Sequence, residues 1–443
     1  MGFLRPSEIQ WDKLSPELSV SNVEIMGRLP LFGEVDVGGD KIAALHLSLA
    51  ALVSDSRSTF KNISICGDLV SVLSWMESAQ AARINASSVQ IEIAPLGEFE
   101  INLLPIAQIR SSICLVSALA LKFGRVIFSP PGGCNFTHRP IRRHLDLIRS
   151  FGIEIRQLDS TLEAIAARAP SEIVFDCSTE FGPSVGVTCH AIIAAQVFEG
   201  EITLHNIALE PAVCAVAKYV RKATGRSVLL DERRLTVGPK FSTKKDGNVD
   251  VRLPTDFTEV MTYVASGMAA GGEIAINGLD DLPKYVIPLL DKLQIHHSNV
   301  AGSLYTRFDT VIHPGYLECR PWPGLPSDIG PLVVAGLARH PGATRLVDLV
   351  YDKRSSHLEG LARMGYRVAA LNRAFTVEGA TPSVDSIVLR AGDIRAGAAL
   401  IVGALARDGR TTLTNYSQVA RGYASLIRDL NRLGASLKSE VPL

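Results

Sequence analysis

The sequence predicts an α/β protein of six repeated units, three closing around an axis and three more repeating the arrangement. Three observations carry this expectation. The chain has 443 residues with 47% apolar but only 6% aromatic content, which suits helices and strands packed with Ala, Leu, Val and Ile. Its length is that of two domains of roughly 200 residues. Above all, it repeats. A helix-like segment ending in glycine and followed by a β-rich piece recurs as LIRSFGIEI (Gly152), YVRKATGRSVLL (Gly225), LEGLARMGYRVAAL (Gly365) and LIRDLNRLGASL (Gly434). LLDKLQIHHSNV keeps the phase around Gln294 without the glycine, so that successive turns lie 69 to 73 residues apart. SVLSWMESAQAARI, near residues 71 to 84, reads as a degraded earlier copy.

A second signature interleaves with the first: an Ala-rich helix, a glycine or polar turn, then a strand that often reaches asparagine. It appears as KFGRVIF, EGEITLHN, GGEIAING, HPGATRLVD and DGRTTLTN. The alternation Glu201-Ile202-Thr203-Leu204 predicts a half-buried strand, and AIIAAQVF before it a buried helix. Each unit therefore holds two helices and several strands. Solenoids normally use shorter periods, so two closed groups of three fit better. The polar, glycine-containing stretch Lys240 to Val251 (KFSTKKDGNVDV) follows the third unit. It reads as the boundary between the groups or as an ordinary hairpin loop.

Lys+Arg and Asp+Glu are equal at 45 each, which disfavours bulk binding to nucleic acid or anionic membrane but allows a local basic pocket. No apolar run approaches a membrane span, and the N-terminal stretch lacks a signal-peptide core. Seven cysteines without paired metal spacing suit a reducing cytoplasm. Position six is proline rather than Ser or Thr, against myristoylation. His46, His138, His144 and His190 show no ligand spacing, so no metal is expected.

The stretch PPGGCNFTHRP (130–140) holds a proline pair, a glycine pair, Cys134, and then His138, Arg139, Arg142 and Arg143 around its basic end. It reads either as a surface turn with an inert cysteine or as an anion-binding loop whose cations lower the thiol pKa. Gly38-Gly39-Asp40-Lys41 feeds an Ala/Leu helix and could bind an anion through dipole, amides and charge, although it is not a P-loop. Arg110 opens RSSICLVSALAL. Ser184-Val185-Gly186 suits phosphate binding or simple N-capping. Asp328 heads an apolar helix, as an N-cap or with a function. Arg354, Arg395 and Arg421 lie near starts of helical units, with Asp393 two residues before Arg395; each arginine alone reads as a solvated helix residue.

Together these stretches resemble the UDP-N-acetylglucosamine enolpyruvyl transferases, relatives of the 5-enolpyruvylshikimate-3-phosphate synthases. The resemblance runs from GEVDVGGDKIAAL through RSSICL, PPGGCNFTHRP, SVGVT, NIALEP, LPSD, YDKR and GDIRAGAAL to ARGY. It implies two inverted-α/β domains, each of three βαβαββ-type units about a pseudo-threefold axis. The first would span 41–251 with Cys134 on a lid loop, the second 1–40 and 252–443, and the active site would lie between them. It further implies transfer of the enolpyruvyl group of phosphoenolpyruvate to an acceptor hydroxyl with release of phosphate, without a cofactor. On matching positions, Lys41, Arg139 and Arg421 would hold the phosphate, with Arg110, Arg354, Asp393 and Arg395 completing the phosphoenolpyruvate site. Cys134 would add to C2 and supply a proton to the methylene carbon, Asp328 would take the acceptor's proton, and Lys41 and Arg421 would serve catalysis as well as binding. The acceptor nucleotide would meet Arg139, Pro140, Ile141, Arg142, Arg143, Ser184, Val185, Gly186 and Asp328. A cytoplasmic monomer or weak homo-oligomer acting on small molecules is expected.

Three departures from the family pattern fall on the acceptor side. Ile42 follows the lysine where the family has asparagine, Arg142 stands where the family has an acid, and Gly182-Pro183 replaces the stretch with a lysine near the diphosphate. They suggest the branch resembling the enolpyruvyl transferases of nikkomycin and polyoxin biosynthesis, which act on the 3′-hydroxyl of UMP. UDP-N-acetylglucosamine, as in peptidoglycan synthesis, is the alternative acceptor. A catalytically inactive nucleotide-binding relative is a second alternative, and a shikimate-type synthase is disfavoured by the PGGC loop.

Overall fold

The computed structural model describes residues 9–97, 101–133, 139–240, 247–382 and 385–440. Within them the repeats become six small sheets, five of four strands and one of three, plus a two-stranded ribbon. The unit built from residues 172–237 shows the plan. Strand Glu172–Asp176 passes through the buried helix Val185–Ala195 to the parallel strand Glu201–His205. The half-exposed helix Pro211–Thr224 then leads to the hairpin Val228–Asp231 and Arg234–Val237, whose second strand pairs antiparallel with Glu201–His205. The sequence order is thus βαβαββ. In the three-stranded sheet, a single parallel bridge from Asn102 to Ile127 stands where the first strand would be. The last unit is completed by the N-terminal strand Asn22–Met26, inserted between Arg410–Thr414 and Ser436–Glu440.

The recurrent turn has one cause. After each outer helix the chain must reverse tightly into a hairpin, which requires a left-handed residue. Gly152 (φ 74°), Gly225 (71°), Gly365 (94°) and Gly434 (98°) supply it, and Gln80 (54°) and Gln294 (55°) hold the same conformation without being glycine. The degraded copy and the copy without glycine are therefore full members of the set of six.

Two groups of three helices form the centres. Lys41–Val53, Val116–Phe123 and Val185–Ala195 pack on one another, as do Phe257–Ala270, Gly330–Leu337 and Ile394–Leu405. Their side chains are buried almost all round, which explains why these segments are apolar without a polar stripe. Each trio sits in its own hydrophobic core, one drawn from residues 43–253, the other from 20–37 and 257–437. No helix among the described residues is long and apolar enough to cross a membrane.

The chain passes between the domains twice, side by side. Strand Leu31–Asp36 pairs in the second domain, yet the helix after it, Lys41–Val53, belongs to the first. Strand Asn248–Arg252 pairs with Arg57–Lys61 in the first domain, and Phe257–Ala270 then enters the second. The C-terminal part of the polar stretch Lys240 to Val251 is thus strand, and the crossing comes at 253–256. The two crossings are joined by Asp40 N–H to Pro254 O (2.7 Å) and Asp256 N–H to Gly38 O (3.0 Å). A Cβ on Gly39 would lie 2.0 Å from Asn62 O. Gly38-Gly39, expected to form an anion-binding turn, is needed for this close passage of backbones.

Candidate active site

Four of the six inner helices start at the space between the domains, and the segments leading into the other two line it as well. Lys41, Ser184 and Val185 at the starts of two first-domain helices line one cleft with Arg110, which opens the 3₁₀ turn running into Val116–Phe123. Phe257, Asp328, Asp393 and Ile394 line it from the second domain. The cleft has a volume of about 850 Å³. Convergent helix N-termini make it electropositive before any side chain is counted.

Lys41 is buried, and its Nζ lies 2.6 Å from Asp68 Oδ2. The other oxygen of Asp68 accepts a hydrogen bond from Arg421 Nε at 2.8 Å. Asp68, at the start of helix Gly67–Ser78, therefore joins a first-domain and a second-domain cation. The sequence reading missed it, although a glycine–aspartate pair opening a helix (CGDL) was a visible signal. Arg110 donates from Nη2 to the carbonyls of Arg139 (2.8 Å) and Pro140 (3.4 Å). It shapes the loop end that carries Arg139. Burial, and then the neighbouring Arg139 charge, lower the Arg110 pKa to about 10.

On the opposite wall Asp328 is clamped. Its Oδ2 accepts from Arg395 Nε at 3.0 Å and its Oδ1 from Arg354 Nη1. The guanidinium carbons of Arg354 and Arg395 lie 5.1 and 5.4 Å from the ring centroids of Tyr351 and Tyr423, cation–π contacts that fix the forks. Burial would raise the Asp328 pKa, but the two arginine charges and their hydrogen bonds outweigh it and hold the carboxyl well below its usual range. Asp393 caps helix Ile394–Leu405, accepting from the N–H groups of Arg395 and Ala396 at 3.0 Å each, and its second oxygen takes the Ser356 hydroxyl at 2.5 Å. It thereby ties the turn bearing Arg354 to the helix bearing Arg395.

The acceptor-side residues divide. Pro140, Arg142, Ser184, Val185 and Gly186 line the cleft, and Arg142 is exposed there. Ser184 is also the cap of its helix, its Oγ accepting from Val187 N–H at 3.3 Å. Two expectations need correction. Ile141 is packed against the first-domain core rather than lining the cleft, because it immediately precedes helix Arg142–Ser150, which turns its apolar side inward. Arg143 touches the cleft, yet its guanidinium is spent on the backbone carbonyls of Ser178 (3.1 Å) and Asp176 and stacks on Phe175 at 4.6 Å. It is a brace for the strand end, leaving Arg142 as the more available cation of the pair. Cys134, the expected lid thiol, and His138 lie outside the described residues.

Beneath this wall lies a cluster the sequence did not announce. His144 and His190 stack at 5.4 Å with Nδ1 atoms 3.1 Å apart, and His190 Nε2 is 2.9 Å from Ser117 Oγ. Burial pushes His190 down to about 3 and His144 well below its ordinary value, so both are neutral. Among the described residues no group of three or more His, Cys, Asp or Glu side chains is placed to hold a metal.

The domains also meet around the rim. Phe181, at the tip of the ribbon Ser178–Thr179 and Gly182–Pro183, packs on Tyr351 (5.5 Å), and Arg233 Nη2 donates to Trp322 O at 2.6 Å.

Residues 25–430 match the family described as EPSP synthase (3-phosphoshikimate 1-carboxyvinyltransferase). The chain belongs to the EPSP synthase family. It is an enzyme of the transferase class that this family comprises. The chain is 30% identical over 435 residues to the UDP-N-acetylglucosamine 1-carboxyvinyltransferase of Thermus thermophilus, covering 94% of this chain and 97% of that one. The enzyme of the same name from Coprothermobacter proteolyticus is 28% identical over 94% and 96% of the two chains. Among solved structures, the enolpyruvyl transferase NikO from Streptomyces tendae superposes with a TM-score of 0.83 at 23% identity, covering 96% of this chain and all of that one. EPSP synthase from Acinetobacter baumannii gives 0.72 at 16% identity over 95% of this chain. These two structural likenesses bear out the inverted-α/β, two-domain fold class. In this EPSP synthase family member, the cleft between the domains is where the expected donor-site cations gather, as far as they are described.

Proposed function

We propose that this enzyme transfers the enolpyruvyl group of phosphoenolpyruvate to a hydroxyl of a uridine nucleotide, releasing phosphate, with the 3′-hydroxyl of UMP as the preferred acceptor. The observation that supports the transfer is the convergence of Lys41, Arg110, Arg139, Arg354, Arg395 and Arg421 from both domains on one cleft. A small ligand with a phosphate and a carboxylate needs several cations around it, and arginine forks match both groups. In this reading Lys41, Arg139 and Arg421 take the phosphate, Arg354 and Arg395 the carboxylate, and Arg110 and Asp393 hold the loops that present them. Asp328, bonded to Arg354 and Arg395 in the same cleft, is assigned by resemblance to meet the acceptor hydroxyl. Cys134 is assigned the family's loop thiol by resemblance.

The acceptor assignment is supported by Arg142, an exposed cation on the cleft wall, and by Ile42, which presents an apolar face with 37% of its surface exposed. A terminal monophosphate carries more charge per phosphorus than a bridging diphosphate and suits an added arginine. UDP-N-acetylglucosamine is the second reading, favoured by the names of the Thermus and Coprothermobacter relatives.

The test is phosphate release from phosphoenolpyruvate with UMP, UDP-N-acetylglucosamine or shikimate-3-phosphate as acceptor. Turnover with UMP alone is the expected result. Turnover with UDP-N-acetylglucosamine alone would replace the acceptor assignment, and no release with any of the three would remove the transfer itself.

A further inference from the structure

Helix Val185–Ala195 opens on the acceptor side of the cleft with donors to spare. Ser184 Oγ takes the Val187 N–H at 3.3 Å, while the N–H groups of Val185 and Gly186 find no acceptor among the described residues. One ring edge lies against that first turn. A Cβ on Gly186 would stand 3.2 Å from His144 Nε2 and 3.3 Å from its Cε1. His144 lines the cleft while only 6% exposed, and its Nε2 has no hydrogen-bond partner among the described residues.

The layer beneath decides whether that nitrogen offers a proton or a lone pair. The Ser117 N–H donates to His190 Nε2 at 3.4 Å, and the Ser117 hydroxyl stands 2.9 Å from the same atom. His190 Nε2 is therefore bare, and the ring's proton sits on Nδ1. That proton faces His144 Nδ1 at 3.1 Å, which must accept it. His144 is left with its own proton on Nε2. The burial that keeps both rings neutral agrees. A fixed N–H thus joins two free amides at the positive end of a helix, and Arg142, two residues earlier in the chain, is exposed on the same cleft. Such a set of donors suits an anionic oxygen. We propose that His144 is an acceptor-binding residue whose Nε2–H donates to a phosphate oxygen of the nucleotide, with His190 the positioning residue that fixes its tautomer. The assignment deepens the uridine-nucleotide reading above and rests on it.

Calorimetric titration with UMP, UDP-N-acetylglucosamine and uridine tests it. His144→Phe keeps the ring and removes the donor. It should weaken whichever nucleotide binds the wild type by about 10-fold or more, and leave uridine within about 2-fold. His144→Gln, which returns an N–H at the same reach, should stay within about 3-fold of wild type for all three. Nitrogen NMR of the wild type reads the tautomer without any substitution. It should show a protonated Nε2 and a bare Nδ1 on His144, with the Nε2–H signal moved by the nucleotide and not by uridine. His190→Phe should mix the two tautomers and weaken the nucleotide while uridine holds. A loss shared equally by uridine would put the contact on the base or ribose, and a His144 proton on Nδ1 would remove the donor; either overturns the assignment. A wild type that binds neither UMP nor UDP-N-acetylglucosamine would instead overturn the nucleotide reading, and this assignment with it.

Discussion

Asp68 shows how much one side chain can settle. It bonds Lys41 at 2.6 Å and Arg421 at 2.8 Å, so Asp68→Asn would leave either buried Lys41 or partly buried Arg421 facing an amide N–H₂. Removing one partner of a buried pair costs about 3–5 kcal/mol. The thermal midpoint should therefore fall by several degrees, and phosphate-release kinetics should show a lower kcat/KM for phosphoenolpyruvate. The neighbouring arginines 142 and 143 look interchangeable in sequence and are not. Arg142→Ala should raise the acceptor KM about 10-fold, the loss of one charge-assisted contact, with the thermal midpoint unchanged. Arg143→Ala should lower that midpoint by several degrees, because it releases the Asp176 and Ser178 carbonyls and the Phe175 ring.

At the scale of elements, the same left-handed residue ends all six outer helices. A non-glycine residue there costs about 1–2 kcal/mol, part of which glycine returns through its freer unfolded chain. Gln294→Gly and Gln80→Gly should each stabilise the protein by about 0.5–1 kcal/mol in denaturant unfolding. A loss of stability in both would mean that the glutamine side chains hold the turn. Gly39→Ala is expected to do the reverse. Its Cβ would meet the Asn62 carbonyl at 2.0 Å and Leu253 Cβ at 2.6 Å, forcing apart the two crossings on which both domains depend.

For the whole molecule, stability is coupled to buried ionisation in the second-domain core. Glu259 is fully buried beside Tyr263, which donates to it at 2.9 Å, and burial followed by the Asp256 charge raises its pKa from 4.5 to about 8. A carboxyl raised on folding contributes stability that is present below its unfolded value and lost as pH rises through its folded value. Glu259→Gln keeps the acceptor for Tyr263 without the charge. Its thermal midpoint relative to wild type should therefore climb between pH 5 and 8 and then level off. The limiting slope is about 1.4 kcal/mol per pH unit. A flat difference would show that Glu259 stays ionised and paired.

The six units and their grouping in threes are legible in the sequence because each is written locally, whereas the cations of the cleft are picked out by the family resemblance. A left-handed turn demands a particular residue, a helix buried all round must be apolar, and a helix start can be recognised from its cap. What local reading could not supply was partnership. That Lys41 and Arg421, 380 residues apart, share one carboxylate follows from where helix Gly67–Ser78 meets the opposite domain. That Arg143 turns to the strand end while Arg142 faces the cleft follows from how helix Arg142–Ser150 docks. That the Lys41 N–H donates to Asp256 Oδ2 follows from the double crossing, which brings residues 38–40 and 254–256 together. Turns and helix ends obey their neighbours in the chain, whereas the electrostatics of the cleft obey only distance, and distance is set by the tertiary fold.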